Sequence, residues 1–253
     1  MFSLNQSIEF NKPELIIVVP SAGLSSNFAG DLLIRNNDFI KIGHFYSKYL
    51  SSIAGLNSKG ELIINGELFF NSNLNKLLLF LRSGIASNLM QKFFTEFNEL
   101  LQKYQITHIS LFGSTSLGGF TTDFEVESKT VNVYSISNDP SFTPEKYGIK
   151  SFNFLINRES KKALDELNYI EGGGFATKLI KLLNKNKLNY TLLLTFSALL
   201  FDPLAGFSLY YKYLNIIGVL QEEKKVLKME RFDEKVLKNE NLNYDETWSY
   251  YFI

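Results

Sequence analysis

LIIVVPSAGLSSNFAGDLLI, residues Leu15 to Ile34, decides the fold class. Leu15 to Val19 is an uninterrupted apolar run rich in β-branched side chains, the composition of a strand buried on both faces. Pro20 and the small residues Ser21, Ala22 and Gly23 end it in a turn. Phe28, Leu32 and Leu33 then repeat at helical spacing, with Ser25, Ser26 and Asn27 available as N-caps. A strand, a tight turn and a helix in that order open an α/β domain.

Working outward, Phe39 to Tyr46, Glu61 to Asn65 and Lys76 to Arg82 are expected strands, separated by segments rich in Gly, Asn and Ser. Leu89, Phe93, Phe94, Phe97, Leu100 and Leu101 keep the i, i+3, i+4 spacing of an amphipathic helix, and Thr107 to Phe112 returns to a strand. Helices between strands predict parallel pairing. Gly113 to Gly148 is polar and turn-rich around one short strand, Val131 to Ser135, with Pro140 and Pro144 interrupting anything longer. The triplet Gly172 to Gly174 leads into a helix over Phe175 to Asn184 and then a strand over Tyr190 to Ala198. Pro203 suits the first turn of a helix reaching about Leu220. Residues 1–220 therefore read as a single α/β domain, and residues 221–253 as a charged segment with a C-terminal tail. Gln221 to Glu240 holds six basic and six acidic side chains, the pattern of a solvated helix or a linker. Trp248, Tyr250, Tyr251, Phe252 and Ile253 then gather at a terminus, where polar residues are the norm.

Composition narrows the function classes. At 253 residues the chain can build its own core, and 45% hydrophobic with 21% charged residues excludes disorder throughout. Lys plus Arg and Asp plus Glu both number 26, so no net field draws the protein to nucleic acid or anionic lipid. The absence of cysteine removes disulfides, thiolate catalysis and Cys-based zinc sites, and suits a reducing compartment. With only His44 and His108 left to supply imidazole, neither a metal nor a cofactor is expected. Met1 to Lys12 lacks the basic start and apolar centre of a secretion signal, and the longest greasy stretch, Leu192 to Phe201, is too short to cross a bilayer. The expected address is the cytoplasm or the nucleus, with no membrane partner. Aromatic residues at 15% leave room for surfaces meant for another protein.

No segment assembles a catalytic set. Ser114-Thr115-Ser116-Leu117-Gly118 approaches a nucleophile elbow, but the glycine two residues before the serine is missing and both histidines precede it in the chain. It is expected to be a polar loop. Gly172 to Gly174 before a helix could offer N–H groups to a phosphate, yet no Gly-Lys-Ser ending or dinucleotide fingerprint accompanies it, so a turn or a close backbone approach is the plainer reading. His44 is expected to be a packed, hydrogen-bonded side chain, and His108 to begin its strand at a surface edge. Asp31, Asp38 and Asp123 stand alone, while Glu222, Glu223, Asp233 and Glu234 lie among lysines. Tyr251-Phe252-Ile253, ending in a free carboxylate, suits capture in a basic pocket of a partner, or folding back on its own domain.

Several segments together resemble the proteasome assembly chaperone 2 family: Leu15 to Ile34, Lys41 to Gly55 (KIGHFYSKYLSSIAG), Leu79 to Ser83 before a long helix, the strand at His108, and Gly172 to Leu179 (GGGFATKL). They fall in family order within residues 13–220; the loop Ser114 to Phe120 departs from the pattern and Gln221 to Asn243 does not align. The resemblance implies a three-layer α/β sandwich with a mostly parallel central sheet, similar to nucleoside phosphorylases but without their catalysis. It also implies a heterodimer with a related chaperone, proteasome assembly chaperone 1, that helps build the α-subunit ring of the 20S proteasome. In fungal members a hydrophobic-Tyr-any residue tail docks between α subunits, its carboxylate meeting a pocket lysine. Here Tyr251 and Ile253 match the outer places and Phe252 departs from Tyr. A phosphorylase-type enzyme using Gly172 to Gly174 as a phosphate site is the competing expectation. It would need a general acid or base near that turn, and the sequence places no obvious one there.

Overall fold

The computed structural model describes residues 2–4, 10–56, 60, 62–116, 131–152, 174–197 and 202–219. Among them are eleven strands and four α-helices. The apolar run at Leu15 becomes β2 (Glu14–Val18), preceded by a short β1 (Phe2–Leu4). A 3-10 turn at Ala22–Leu24 then leads into α1 (Ser25–Asn36). Next come β3 (Ile40–Phe45), β4 (Ala54–Leu56), β5 (Leu62–Ile64), β6 (Glu67–Asn71) and β7 (Lys76–Phe80). The amphipathic helix is α2 (Met90–Lys103), and β8 (His108–Ser116) follows it. The chain continues through β9 (Tyr134–Ser137), β10 (Lys150–Ser151), α3 (Gly174–Lys185), β11 (Asn189–Ser197) and α4 (Pro203–Ile216).

Nine strands form one sheet in the order β1-β3-β6-β7-β2-β8-β11-β9-β10. Its middle, β7-β2-β8-β11, is wholly parallel, because the crossovers through helices return each strand in the same direction. Antiparallel pairing is confined to the flanks, where β3, β6 and β7 are linked without intervening helices and β9 folds back on β11. Phe93, Phe97 and Leu100 of α2 and Leu179 and Leu183 of α3 cover one face with Leu15, Ile17 and Leu111. Leu32 and Leu33 of α1 and Leu209 and Tyr213 of α4 cover the other with Ile16, Leu78, Phe112 and Leu193. The result is the expected three-layer α/β sandwich.

Alternation along the central strands explains both faces. Residues of β2, β7, β8 and β11 point by turns into one core and the other, so all four strands are apolar on both sides. Four strands were not expected from the sequence: β1, β4, β6 and β10. In β6 only Leu68-Phe69-Phe70 is apolar, between Glu67 and Asn71, a run too short to stand out. The segment expected as a strand at Glu61 to Asn65 pairs instead with β4 in a separate two-stranded sheet. At the β6–β7 hairpin, Asn71 Oδ1 accepts from Leu74 N–H at 2.9 Å, an Asx turn that fixes the register.

Candidate functional site

Open parallel sheets make their ligand crevice at the carboxyl ends of the strands, beside a point where the strand order reverses. Here that place is the turn after β2. Gly23 (φ 64) and Leu24 (φ 50) are both left-handed, a conformation that is strained for leucine and folds the chain back over the ends of β8 and β11. A side chain at Gly23 would run into Ser197. Ser114 Oγ donates to the Ala22 carbonyl and lies 2.9 Å from Ser21 Oγ, which in turn bonds Ser26 Oγ at 2.8 Å. Ser26 donates back to the Val19 carbonyl, and Asn27 Nδ2 to the Leu81 carbonyl at 3.3 Å. Asp202, which caps α4 through Ala205 N–H at 3.0 Å, also donates its own N–H to Gly23 O at 2.9 Å. Two atoms, Asn27 Oδ1 and Thr195 Oγ1, are buried without a hydrogen-bond partner among the described residues. The hydroxyls here tie turn, strand and helix together.

Ser114 to Ser116 therefore belongs to β8, paired in register with Thr195 to Ser197, and not to the loop that the sequence suggested. The polar alternation of a strand end is hard to tell from a loop when glycine precedes it. Gly174 opens α3 at an exposed position, and Gly172 and Gly173 lie outside the described residues. The tail residues Tyr251, Phe252 and Ile253, the loop from Leu117 to Phe120 and the charged segment from Gln221 lie outside them as well.

His44 and Asp31 also correct the sequence reading. His44 is packed in β3, but its Nδ1 is buried with no hydrogen-bond partner among the described residues. Burial, then the Lys41 ammonium, pushes its imidazole below the ordinary value against the pull of Glu67. His108 begins β8 as expected, partly exposed at the end of a central strand, and its Nδ1 is 3.4 Å from Asp139 Oδ2. Asp31 does not stand alone: Arg82 lies 4.0 Å away.

Two carboxylates that the sequence reading passed over organise the polar interior. Glu67 is almost fully buried, with Lys41 Nζ on Oε1 at 2.6 Å and Arg82 Nε on Oε2 at 2.7 Å, while the Arg82 guanidinium lies over the Phe80 ring. Nearby, Asn65 accepts from the N–H groups of Arg82 and Ser83 and donates to the Ser51 carbonyl, pinning the chain on either side of β6 and β7. Glu14, at the amino end of β2, pairs with Lys76 and accepts from Ser110 Oγ at 2.6 Å and Tyr213 hydroxyl at 3.2 Å. Burial works to raise its carboxyl, but the Lys76 charge and the hydrogen bonds from Lys76 and Ser110 outweigh it and hold the group below its usual value. The only signal for either in the sequence was a charge at the margin of an apolar strand. Outside this interior, Ile40, Tyr46, Leu56 and Leu62 are the large apolar residues exposed around β3, β4 and β5, with Leu56 and Leu62 directly opposite each other.

The sequence model of the PAC2 family matches residues 15–203, from the second residue of β2 to the first of α4. The chain belongs to the PAC2 family. Among curated protein sequences no relative matches. Solved structures similar to this PAC2 chain include Pyrococcus furiosus PbaA, an archaeal homolog of proteasome-assembly chaperone, at 17% identity over 94% of this chain and 95% of that one, with TM-score 0.64. Another is PbaB of the same organism, an archaeal proteasome activator, at 14% identity over 94% and 97% of the two chains, with TM-score 0.63. A third is a Mycobacterium tuberculosis proteasome-assembly chaperone homologue, at 10% identity over 92% and 98%, with TM-score 0.60. At these identities the likeness is one of fold, and it extends over nearly the whole of each chain compared. Among the described residues of this PAC2 protein no group of three or more His, Asp or Glu could hold a metal ion. No described helix is long and apolar enough to cross a membrane.

Proposed function

We propose that this PAC2 chain is a chaperone of 20S proteasome assembly: it pairs with a related chaperone of the proteasome assembly chaperone 1 type and supports building of the α-subunit ring. The observation that carries this reading is family membership over residues 15–203. The protein acts through its surfaces, without catalysis. In support, the carboxyl-end crevice, where an enzyme of this class would work, is bridged by hydrogen bonds from Ser26, Asn27 and Ser114 to main-chain carbonyls. The pair docks through Tyr251, Phe252 and Ile253, with the terminal carboxylate meeting a basic group between neighbouring α subunits. An extended chain spans about 3.3 Å per residue, so the last fifteen or so residues could reach on the order of 50 Å.

The test is the dissociation constant of the chaperone pair for α rings at fixed salt. Deleting Tyr251 to Ile253 should weaken it by about 1.5 to 3 kcal/mol, the worth of a charge-assisted contact, and leave pairing intact. One residue added after Ile253 should do nearly the same, because the carboxylate moves out of register. Phe252→Tyr should hold or improve affinity. Unchanged binding after both deletion and extension would refute tail docking.

A further inference from the structure

A cleft of about 210 Å³ opens at the amino ends of β2 and β8, on the α4 side of the sheet. This is the end of the strands opposite the turn at Gly23 and Leu24. Its floor is Glu14, whose charge is already matched by Lys76 and whose Oε1 accepts from Ser110 and Tyr213. One wall is different. Asp139 Oδ1 accepts from Ser141 N–H at 2.9 Å and Ser141 Oγ at 2.7 Å, which leaves Oδ2 facing His108 Nδ1 at 3.4 Å. Among the described residues that line the cleft there is no lysine or arginine, so Asp139 Oδ2 has no fixed cation on it and only the His108 ring beside it. Phe142 and Tyr147 also line the cleft, their rings stacked 11° apart with centroids at 5.9 Å, and give it an aromatic wall.

We propose that this cleft binds a small organic amine with a flat body, its ammonium on Asp139 Oδ2 and its body against Phe142 and Tyr147. Each part of the cleft asks for a different part of that ligand. A carboxylate oxygen with no lysine or arginine on it favours a cation and rejects an anion. Aromatic faces attract both the flat body and the ammonium. A pocket of this make-up, mostly apolar with a few convergent polar groups, is the usual form of a small-molecule site. His108, held beside Asp139, positions that carboxylate and keeps the imidazole edge toward the ligand. The site is independent of the proteasome reading and stands or falls without it.

Titration calorimetry of the full chain with phenethylammonium, and separately with phenylacetate, tests this. The two probes share a ring and differ in charge. Phenethylammonium should bind saturably and phenylacetate at least about tenfold more weakly, a difference near 1.4 kcal/mol. Asp139→Asn and Phe142→Ala, each verified as folded by circular dichroism, should each weaken phenethylammonium by a similar factor. Because the probe comparison uses the unmodified chain, it decides the charge preference even if a variant fails to fold. No saturable binding, equal binding of the two probes, or full affinity in folded Asp139→Asn overturns the proposal.

Discussion

Glu14 joins β2, β7, β8 and α4 through Lys76, Ser110 and Tyr213, so one carboxylate fastens four elements at the amino end of the sheet. Glu14→Gln leaves the Lys76 ammonium unpaired and should destabilise the protein by about 1–3 kcal/mol at neutral pH. Tyr213→Phe removes a single hydrogen bond and should cost about 0.5–1.5 kcal/mol. The pH dependence has a definite sign. Because the folded carboxyl sits below its ordinary value, the unfolded chain binds the proton more readily. The stability from ionised Glu14 is therefore fully present above the unfolded value of about 4.3 and is lost as pH falls through it toward the lower folded value. Urea midpoints of the natural chain and Glu14→Gln should converge as pH drops below about 4. A gap that stays constant down to pH 3 or so would show that the carboxylate is not held by its charge.

The turn and the helix after β2 show how far element-level reading goes. Strand, proline, small residues and helix were legible because a doubly buried strand needs a continuous apolar run and the helix needs its 3.6-residue stripe. The same periodicity found α2, β11 and α4 to within a few residues. What escaped were β1, β4, β6 and β10, whose identity depends on what they pair with and not on their own pattern, and the polar end of β8. Of the candidate site, Ser114, Ser25 and Ser26 were visible as residues, but Leu24 takes the N-cap position in place of the expected Ser25, Ser26 or Asn27, and the link from Gly23 to Asp202 forms only in the folded state. Glu14 and Glu67 were missed for the same reason: their partners come from Lys76, Arg82 and Tyr213, far along the chain. Gly206 in α4 belongs to this group of tertiary requirements. A Cβ there would sit 2.7 Å from Phe28 Cδ1 and 2.9 Å from the Ser25 carbonyl, so glycine is what lets α4 lie against the start of α1. Gly206→Ala gains about 1 kcal/mol in helix propensity yet should still be net destabilising by about 1–2 kcal/mol, because a backbone carbonyl must move. A thermal midpoint at or above that of the natural chain would refute this close-packing account.

At the level of the whole molecule, the fold is that of the PAC2 family, and the open question is what it meets. Ile40, Tyr46, Leu56 and Leu62 leave apolar surface uncovered, and β4 with β5 forms a sheet of two strands only, an arrangement of marginal stability in water. Expressed alone, the protein should therefore self-associate in sedimentation runs, and co-expression with its related chaperone should yield a uniform pair. A monodisperse monomer indifferent to that chain would count against pairing. The most direct measurement is affinity isolation of the tagged chain from its native cell, with co-isolated proteins quantified by mass spectrometry. The account predicts a second PAC2-family chain in equal amount together with α subunits of the 20S proteasome, and depletion of both from mature particles. Company that contains neither a related chaperone nor α subunits would contradict the assembly role.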